Sequence, residues 1–314
     1  MMHATEIAGT SKLAAGASAH SELTAWAAML ADYWTLTKPE VNFLIVMSTL
    51  AGFYLGSPAG QLQFPVMIHT LLGTLLVASG TATLNQYVER RYDARMRRTA
   101  RRPLPAGRLA PARALWFGVL LSVAGGLYLA LAVNLLTSFL AVFTLLSYLL
   151  LYTPLKRKTP FCTLIGAFPG AMPPLIGWAG ARGSLSLEAW VLYAILFLWQ
   201  FPHFLAIVWM YREDYTRAGY QMLPLGDRKG NSMAWQVVLF SLALLPVSLV
   251  PTFLGLEGAA YFLGTLVLGL GFLFYGARLA LDRSHSLARR VVLASVVYLP
   301  LVYALAIVDK VRGH

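Results

Sequence analysis

The sequence predicts an all-α integral membrane protein with nine transmembrane helices. Of its 314 residues, 58% are hydrophobic and only 12% are charged, and the mean hydropathy is +0.64. Soluble globular domains carry about 25% charged residues, so this composition excludes a soluble domain. Apolar windows of about 17 to 25 residues are long enough to cross a bilayer as helices. We find nine of them, at residues 41–57, 66–88, 114–133, 136–153, 162–180, 188–210, 233–254, 258–278 and 290–308.

The N-terminal region is predicted to lie outside the helix bundle. Residues 1–21 are small and polar without periodicity, and they lack the layout of a signal peptide, which predicts a disordered tail. Residues 22–36 place apolar side chains at helical spacing beside two acids, which predicts a short helix on the membrane surface. We therefore divide the chain into an N-terminal tail with an interfacial helix, residues 1–36, and a single polytopic domain, residues 37–314.

The first predicted span is preceded by Lys38 and begins near Pro39, where a missing N–H costs nothing. Lys38 has two interpretations. It either extends its amine to the membrane interface, as lysines at span ends commonly do, or it supplies a cation that reaches a phosphate.

Three oxygen-bearing side chains form a stripe at the end of the second predicted span. Asn85, Glu89 and Asp93 are spaced at i, i+4 and i+8, so each lies about 40° around the helix from the last, on one face. Two carboxylates four residues apart repel each other unless a cation lies between them. An amide and two carboxylates are hard oxygen ligands of the kind that bind Mg²⁺ together with substrate phosphates.

Ion pairs offer a simpler explanation of the same stripe. Asp93 could pair with Arg97, Glu89 could pair with Arg90 or a neighbouring helix, and Asn85 could bond another helix within the membrane. The residues that follow favour the metal, because a magnesium diphosphate needs both signs of charge at once. This basic run comprises Arg90, Arg91, Arg95, Arg97, Arg98, Arg101 and Arg102.

The distribution of the net charge of +12 argues against a nucleic-acid partner. If the N-terminus is cytoplasmic, all basic residues except Arg182, Lys310 and Arg312 fall on the inner side, which is 22 of 25. The positive-inside rule predicts such a bias. We expect a multi-pass protein of the bacterial-type cell inner (cytoplasmic) membrane, with its N-terminus and catalytic loops in the cytoplasm and its C-terminus outside. The single cysteine, Cys162, permits no intrachain disulfide.

The middle of the chain adds a second basic loop and an interrupted span. The loop contains Lys156 and Arg157, which the positive-inside rule alone would explain. The span after it contains glycines and prolines between Gly166 and Gly177. Such residues break backbone hydrogen bonds, which lipid tolerates only where neighbouring helices or a cavity supply partners. We predict a kinked helix against a cavity.

The sixth predicted span carries polar side chains well inside its apolar segment. Gln200 and His203 share one helical face, and polar groups inside the membrane are expensive enough to indicate a functional site, although a histidine bonded to a neighbouring helix is an equal alternative. Just beyond the span, Glu213 and Asp214 form a second acidic site.

Together these segments resemble the protohaem IX farnesyltransferases (haem O synthases), a family of UbiA-type intramembrane prenyltransferases. The matching segments are Asn85-x-x-x-Glu89-x-x-x-Asp93-x-x-Met96-x-Arg98-Thr99, Arg102-Pro103-Leu104-Pro105, Tyr152-Thr153-Pro154-Leu155-Lys156-Arg157, Pro173-Pro174-Leu175-Ile176-Gly177-Trp178, Trp199-Gln200-x-Pro202-His203-Phe204 and Asp214-Tyr215-x-x-Ala218-Gly219-x-x-Met222-Leu223-Pro224.

The resemblance implies a UbiA-type bundle of nine helices around a central cavity. It implies transfer of farnesyl from farnesyl diphosphate to a vinyl group of haem B, with Mg²⁺ as cofactor and haem B as substrate. We assign catalytic roles to Asn85, Glu89, Asp93, Arg98, Lys156 and Asp214, with Asn85, Glu89, Asp93 and Asp214 as metal ligands. We assign substrate binding to Lys38, Arg102, Arg157, Gln200, His203, Tyr211, Glu213 and Tyr215.

Four positions depart from the family pattern. Many UbiA-type relatives carry a second pair of aspartates four residues apart, a spacing that Tyr211 and Tyr215 have here. Glu40 stands where a basic or small residue is expected, and Cys162 stands where many relatives have asparagine. A second metal site is therefore less well supported than the first.

Two other functions fit parts of the pattern. A UbiA-type enzyme with another aromatic acceptor, such as a quinone precursor, would share the stripe on the second span. A lipid or anion transporter is the non-enzymatic alternative, although its site should lie near the midplane between symmetric halves. For the farnesyltransferase, the expected partners are the lipid bilayer, the two substrates and a haem A synthase or oxidase assembly proteins.

Overall fold

The computed structural model describes residues 24, 26–222, 227 and 229–310. The predicted tail of residues 1–21 lies outside the described residues, as do Leu223, Pro224, Arg228 and Arg312.

The described chain is built from helices joined by short connections, with a single isolated bridge between Glu257 and Lys310. The helices are α1 (26–37), α2 (Pro39–Gly56), α3 (Phe64–Asp93), α4 (Pro111–Ala132), α5 (Leu135–Ser147), which continues through a π-helical turn (Tyr148–Tyr152) into α6 (Thr153–Leu155), then α7 (Cys162–Gly170), α8 (Pro173–Arg182), α9 (Leu187–Met210), α10 (Arg212–Ala218), α11 (Asn231–Phe253), α12 (Ala259–Leu281) and α13 (His285–Val308).

Eight helical segments in the described part of the chain are long and apolar enough to cross a membrane, so the predicted count of nine is wrong. The exception is α2, the first predicted span. It has only 18 residues, and Pro39, Glu40 and Asn42 make its first turn polar. It nevertheless runs along the bundle, because its two ends contact opposite ends of the bundle. Lys38, just before α2, donates a hydrogen bond to Asn85 near the end of α3. The Ser57 carbonyl, just after α2, accepts a hydrogen bond from Lys310 beyond α13.

The predicted interruption of the fifth span is confirmed, although no residue of 162–182 lines the cavity at the arginine-rich end. Residues 162–182 form two helices, α7 and α8, separated at Ala171 and Met172. Close packing explains the small residues here: a Cβ at Gly177 would lie 2.0 Å from the Thr49 carbonyl oxygen of α2, and one at Gly52 would lie 2.1 Å from the Pro174 carbonyl oxygen. The backbones of α2 and α8 can approach this closely only because these positions lack side chains.

The buried interior divides into one large cluster and two small ones. The large cluster runs through the bundle and includes Trp178, Ile195 and Tyr298. One small cluster packs Met96 against Cys162 and Met222, and the other packs Leu36 of α1 against Leu104 and Leu109. The small clusters fix the arginine-rich connection, residues 94–110, against α1 and against the segment after α10.

The opposite end of the bundle contains a buried acid, Glu257, between α11 and α12. Its side chain is 2% exposed, and neither carboxylate oxygen has a hydrogen bond within the described residues. Asp309 nearby accepts a bond from the Tyr261 amide, and Lys310 donates to the carbonyls of Tyr54 and Ser57. Burial, with the Asp309 charge, raises the pKa of Glu257 from 4.5 to about 8.

We expect this acid to make the protein less stable at alkaline pH. Its folded-state pKa is raised, so its stabilising contribution is complete below pH 4.5 and is lost as pH rises through about 8. The whole shift is worth roughly 5 kcal/mol. Melting temperatures of the purified protein should therefore fall between about pH 5 and about pH 9, and Glu257→Gln should remove most of that slope. An unchanged slope in the variant would contradict this prediction.

Candidate active site

The predicted stripe lies on the last three turns of α3 and faces a cavity of about 100 Å³ at the arginine-rich end of the bundle. Asn85, Glu89 and Asp93 all line this cavity and are 1%, 7% and 1% exposed. Small-molecule pockets usually enclose about 300 to 1,000 Å³, so this cavity suits a group of phosphate size rather than a porphyrin.

Each oxygen ligand of the stripe contacts a basic side chain from elsewhere in the chain. Lys156 Nζ lies 2.9 Å from Glu89 Oε1, and Arg102 Nη1 lies 2.8 Å from Asp93 Oδ2. Lys38 Nζ donates to Asn85 Oδ1 at 3.2 Å. Among the described residues, no salt bridge joins Glu89 to Arg90 or Asp93 to Arg97. Each of the two carboxylates is therefore paired with a cation of its own, which offsets the repulsion between them.

The charge in the cavity is positive on balance. Two carboxylates face four basic side chains, namely Lys38, Arg98, Arg102 and Lys156. Burial lowers the pKa of Lys38 to about 7, with the charges of Arg102 and Lys156 acting in the same direction. Burial also opposes the charge of Lys156, but the Glu89 carboxylate together with Tyr152 and Tyr148 outweighs it, so the pKa of that amine lies well above 10.5. An anion beside Lys38 would favour its charged form, so this cavity is suited to binding a polyanion.

The arginine-rich connection is fastened to α10 through Arg98. Its backbone N–H donates to Asp214 Oδ2 at 3.4 Å, and its guanidinium donates to the Tyr215 hydroxyl. The same guanidinium lies 4.6 Å from the ring centroids of both Tyr211 and Tyr215. Asp214 is also paired with Arg217 at 3.0 Å. Asp214 therefore does not line the cavity itself, but it contacts Arg98, which does.

Tyrosines form much of the remaining wall, and of these the sequence analysis assigned a role only to Tyr215. Tyr148, Tyr152, Tyr215 and Tyr220 border the cavity, and Lys156 Nζ lies 4.4 Å from the centroid of the Tyr152 ring. The signal was the i, i+4 spacing of Tyr148 and Tyr152 directly before Lys156. Their π-helical turn, which no residue pattern marked, is a feature often found at functional sites.

Thr153 was not singled out either, yet it orients the amide of the stripe. Its hydroxyl accepts from Asn85 Nδ2 at 3.2 Å and donates to the Tyr148 carbonyl. Because the amide nitrogen is held in this way, Oδ1 of Asn85 faces Lys38 and the cavity.

Gln200 and His203 lie deeper in the bundle, on α9. Gln200 Nε2 donates to the carbonyls of Ala167 and Leu196, so the backbone of α7 and α9 satisfies it. His203 Nδ1 lies 2.7 Å from the Ser295 hydroxyl of α13, and its ring stacks on Trp199 at 4.8 Å. Neither residue lines the cavity, and their contacts with substrate stay predictions.

The structure therefore divides the predicted residues into two groups. The cavity brings together Lys38, Asn85, Glu89, Asp93, Arg98, Arg102, Lys156 and Tyr215. Outside its lining lie Arg157, Gln200, His203, Tyr211, Glu213 and Asp214.

A magnesium ion fits this donor set when it is shared with a substrate. Within the described residues, no three histidine, cysteine, aspartate or glutamate side chains group closely enough to hold a metal by themselves. The cavity does supply two carboxylates and one amide oxygen, from Glu89, Asp93 and Asn85. Mg²⁺ is commonly held by one or two carboxylates, with phosphates and waters in its other positions.

Comparison with known proteins extends the likeness to most of the chain. The model of the UbiA prenyltransferase family matches residues 45–299. A protein of Solibacter usitatus named protoheme IX farnesyltransferase is 54% identical over 89% of this chain and 98% of its own length. Proteins of the same name from Koribacter versatilis and Salinibacter ruber are 46% and 47% identical over 90% of this chain, and over 94% and 99% of their own lengths.

Solved structures show the same fold at low sequence identity. One, described as a digeranylgeranylglyceryl phosphate synthase in membranes, has a TM-score of 0.73 and 18% identity over 89% of this chain and 98% of its own. Another, a UbiA homologue from Archaeoglobus fulgidus bound to GPP and Mg²⁺, has a TM-score of 0.61 and 14% identity over 88% of this chain and 99% of its own.

Proposed function

Because this chain belongs to the UbiA prenyltransferase family and is similar over nearly its whole length to protohaem IX farnesyltransferases, we propose that it transfers farnesyl from farnesyl diphosphate to a vinyl group of haem B. With addition of water, the products are haem O and diphosphate. The observation that carries this proposal is the 54% identity to a relative of that name, over 98% of its length.

The cavity supports the first step, departure of diphosphate from the allylic carbon. The C–O bond breaks and its electron pair leaves with the diphosphate, so negative charge grows on the phosphate oxygens. Lys38, Arg98 and Lys156 line the cavity in which that charge would lie. Fixed cations at the place where charge develops are often the largest catalytic contribution.

Magnesium would be held by Asn85, Glu89 and Asp93, and it supplies Lewis-acid stabilisation of the leaving diphosphate when bound. Lys156 and Arg102 pair with the Glu89 and Asp93 carboxylates, and these charges offset the repulsion between the two acids. Asp214, through the backbone of Arg98, would hold that guanidinium near the phosphates.

The tyrosine wall would protect the allylic cation that remains. The faces of aromatic rings attract cations, and rings of Tyr148, Tyr152 and Tyr220 border the cavity. The vinyl group of haem B supplies the π electrons for the new C–C bond. Water then adds to the benzylic-type cation next to the porphyrin and loses a proton, which leaves the hydroxyethylfarnesyl substituent. Partners in a later oxidation of haem O would be a haem A synthase or oxidase assembly proteins.

The protein is a multi-pass membrane protein. We propose the cell inner membrane with the arginine-rich end in the cytoplasm, supported by the sequence prediction that this orientation puts 22 of the 25 basic residues on the inner side. Farnesyl diphosphate, a charged and water-soluble headgroup on an apolar chain, would then reach the cavity from the cytoplasm.

The test is mass spectrometry of pigment extracted after purified protein in lipid is incubated with haem B, farnesyl diphosphate and Mg²⁺. We expect the mass of haem O, loss of product with EDTA and recovery with Mg²⁺. Asp282→Asn, an exposed acid at the end of α12, serves as the unaffected control. Prenylation of an aromatic acid in place of haem would favour the quinone-precursor acceptor, and diphosphate binding without any product would favour a transporter.

A further inference from the structure

A second, larger concavity lies on the outside of the bundle, between α1 and α4. This groove encloses about 1050 Å³. Its walls include Leu30 and Trp34 of α1 and Trp116, Phe117 and Leu120 of α4, with Arg113 at one end. It is separate from the catalytic cavity, because the two share no lining residue.

The groove has the composition of a surface in contact with lipid. Trp34, Trp116 and Leu120 are 65%, 70% and 67% exposed, which is unfavourable in water but ordinary in a bilayer. Tryptophans concentrate where the headgroups meet the hydrocarbon. The groove begins on the first turn of α4, next to the arginine-rich connection, and continues along α4 toward the membrane interior. An acyl chain matches the apolar part of this surface.

Arg113, at one end of the groove, indicates that a lipid bound there would have a negatively charged headgroup. It is exposed, and no salt bridge to it is formed among the described residues. Arg108, three residues before the start of α4, instead donates three hydrogen bonds to Asp32 of α1. Arg113 is therefore the cation at the groove that is available to a phosphate, and basic residues beside a membrane attract anionic lipids.

We propose that this groove is a binding site for an anionic phospholipid, with an acyl chain between α1 and α4 and the headgroup phosphate on Arg113. The bound lipid holds α1 against the bundle. The C-terminal end of α1 leads directly to the catalytic cavity: the Leu36 carbonyl accepts from Gln86 Nε2, beside Asn85, and the Thr37 carbonyl accepts from Asn42. Lys38, the next residue, lines the cavity itself.

The experiment measures lipid binding and needs no enzyme activity. Purified full-length protein in detergent is titrated with phosphatidylglycerol or phosphatidylcholine, and bound lipid is counted by native mass spectrometry while the melting temperature is followed. We expect a saturable site for phosphatidylglycerol that phosphatidylcholine fills less well. Arg113→Gln should weaken it about five-fold, the value of one basic residue near an anionic headgroup. Leu120→Trp, which fills an exposed part of the groove, should remove it.

Arg289→Gln is the matched control, because Arg289 is exposed on the first turns of α13, away from the groove. It should bind phosphatidylglycerol as the unchanged protein does. Equal losses in Arg113→Gln and Arg289→Gln would show general surface attraction and overturn the site. The proposal also fails if inorganic phosphate gives the same shift in melting temperature, or if added lipid is excluded because a second copy covers the groove, which would appear as a dimer in light scattering.

Discussion

Glu89→Gln and Asp93→Asn should each reduce the rate of haem O formation at least about 10²-fold. Each change removes the negative charge of a proposed magnesium ligand while keeping its size, so the loss should appear in turnover rather than in haem affinity. The measurement is initial product formation by mass spectrometry at saturating substrates. Asp282→Asn, which alters an exposed acid outside the cavity, should retain normal activity.

Folding must be separated from catalysis in these variants. Glu89→Gln leaves the buried Lys156 without its counter-charge, and breaking a buried ion pair costs about 3 to 5 kcal/mol. Glu89→Gln combined with Lys156→Gln should recover much of the melting temperature and none of the activity. Near-normal haem O production by either single variant in magnesium-containing buffer would refute the assignment of the stripe.

Hydrophobicity and proline placement predicted most of the fold. Eight spans follow from runs of apolar residues, and the glycines and prolines between Gly166 and Gly177 predicted the break between α7 and α8. The count failed at α2 because polar residues in its first turn reduce the apolar length. The π-helical turn at Tyr148–Tyr152 could not be predicted, since no residue type there requires it.

The residues of the candidate site that lie on one helix were predictable from the sequence, but their partners from distant parts of the chain were not. The spacing of Asn85, Glu89 and Asp93 places them on one helix face by geometry alone. Their partners depend on tertiary packing: Lys38 and Asn85 are 47 residues apart, and Lys156 and Glu89 are 67 apart. Many basic residues could have filled those roles. Local spacing suggested Arg90 and Arg97, whereas the folded chain presents Lys156 and Arg102.

His203 and Asp214 should affect different substrates. His203 lies seven residues before the end of α9, which is about 10 Å along the helix. Ser295 occupies its Nδ1, so a contact with haem iron or with a polar group on the porphyrin edge would have to be made by Nε2. Asp214 instead contacts the backbone of Arg98, at the proposed diphosphate end.

We therefore expect His203→Ala to weaken haem B binding at least about ten-fold, the loss of one good contact, with a lost or shifted Soret change and farnesyl diphosphate affinity within a few-fold. Asp214→Ala should do the opposite, because it removes the oxygen that accepts from the Arg98 backbone N–H and so releases Arg98 from its position at the cavity. Ser295→Ala, which removes only the hydroxyl bonded to Nδ1, should reproduce part of the haem defect by freeing the imidazole to rotate. If His203→Ala leaves the haem spectrum and affinity unchanged and lowers only the melting temperature, His203 is a structural residue that joins α9 to α13, and haem must bind elsewhere.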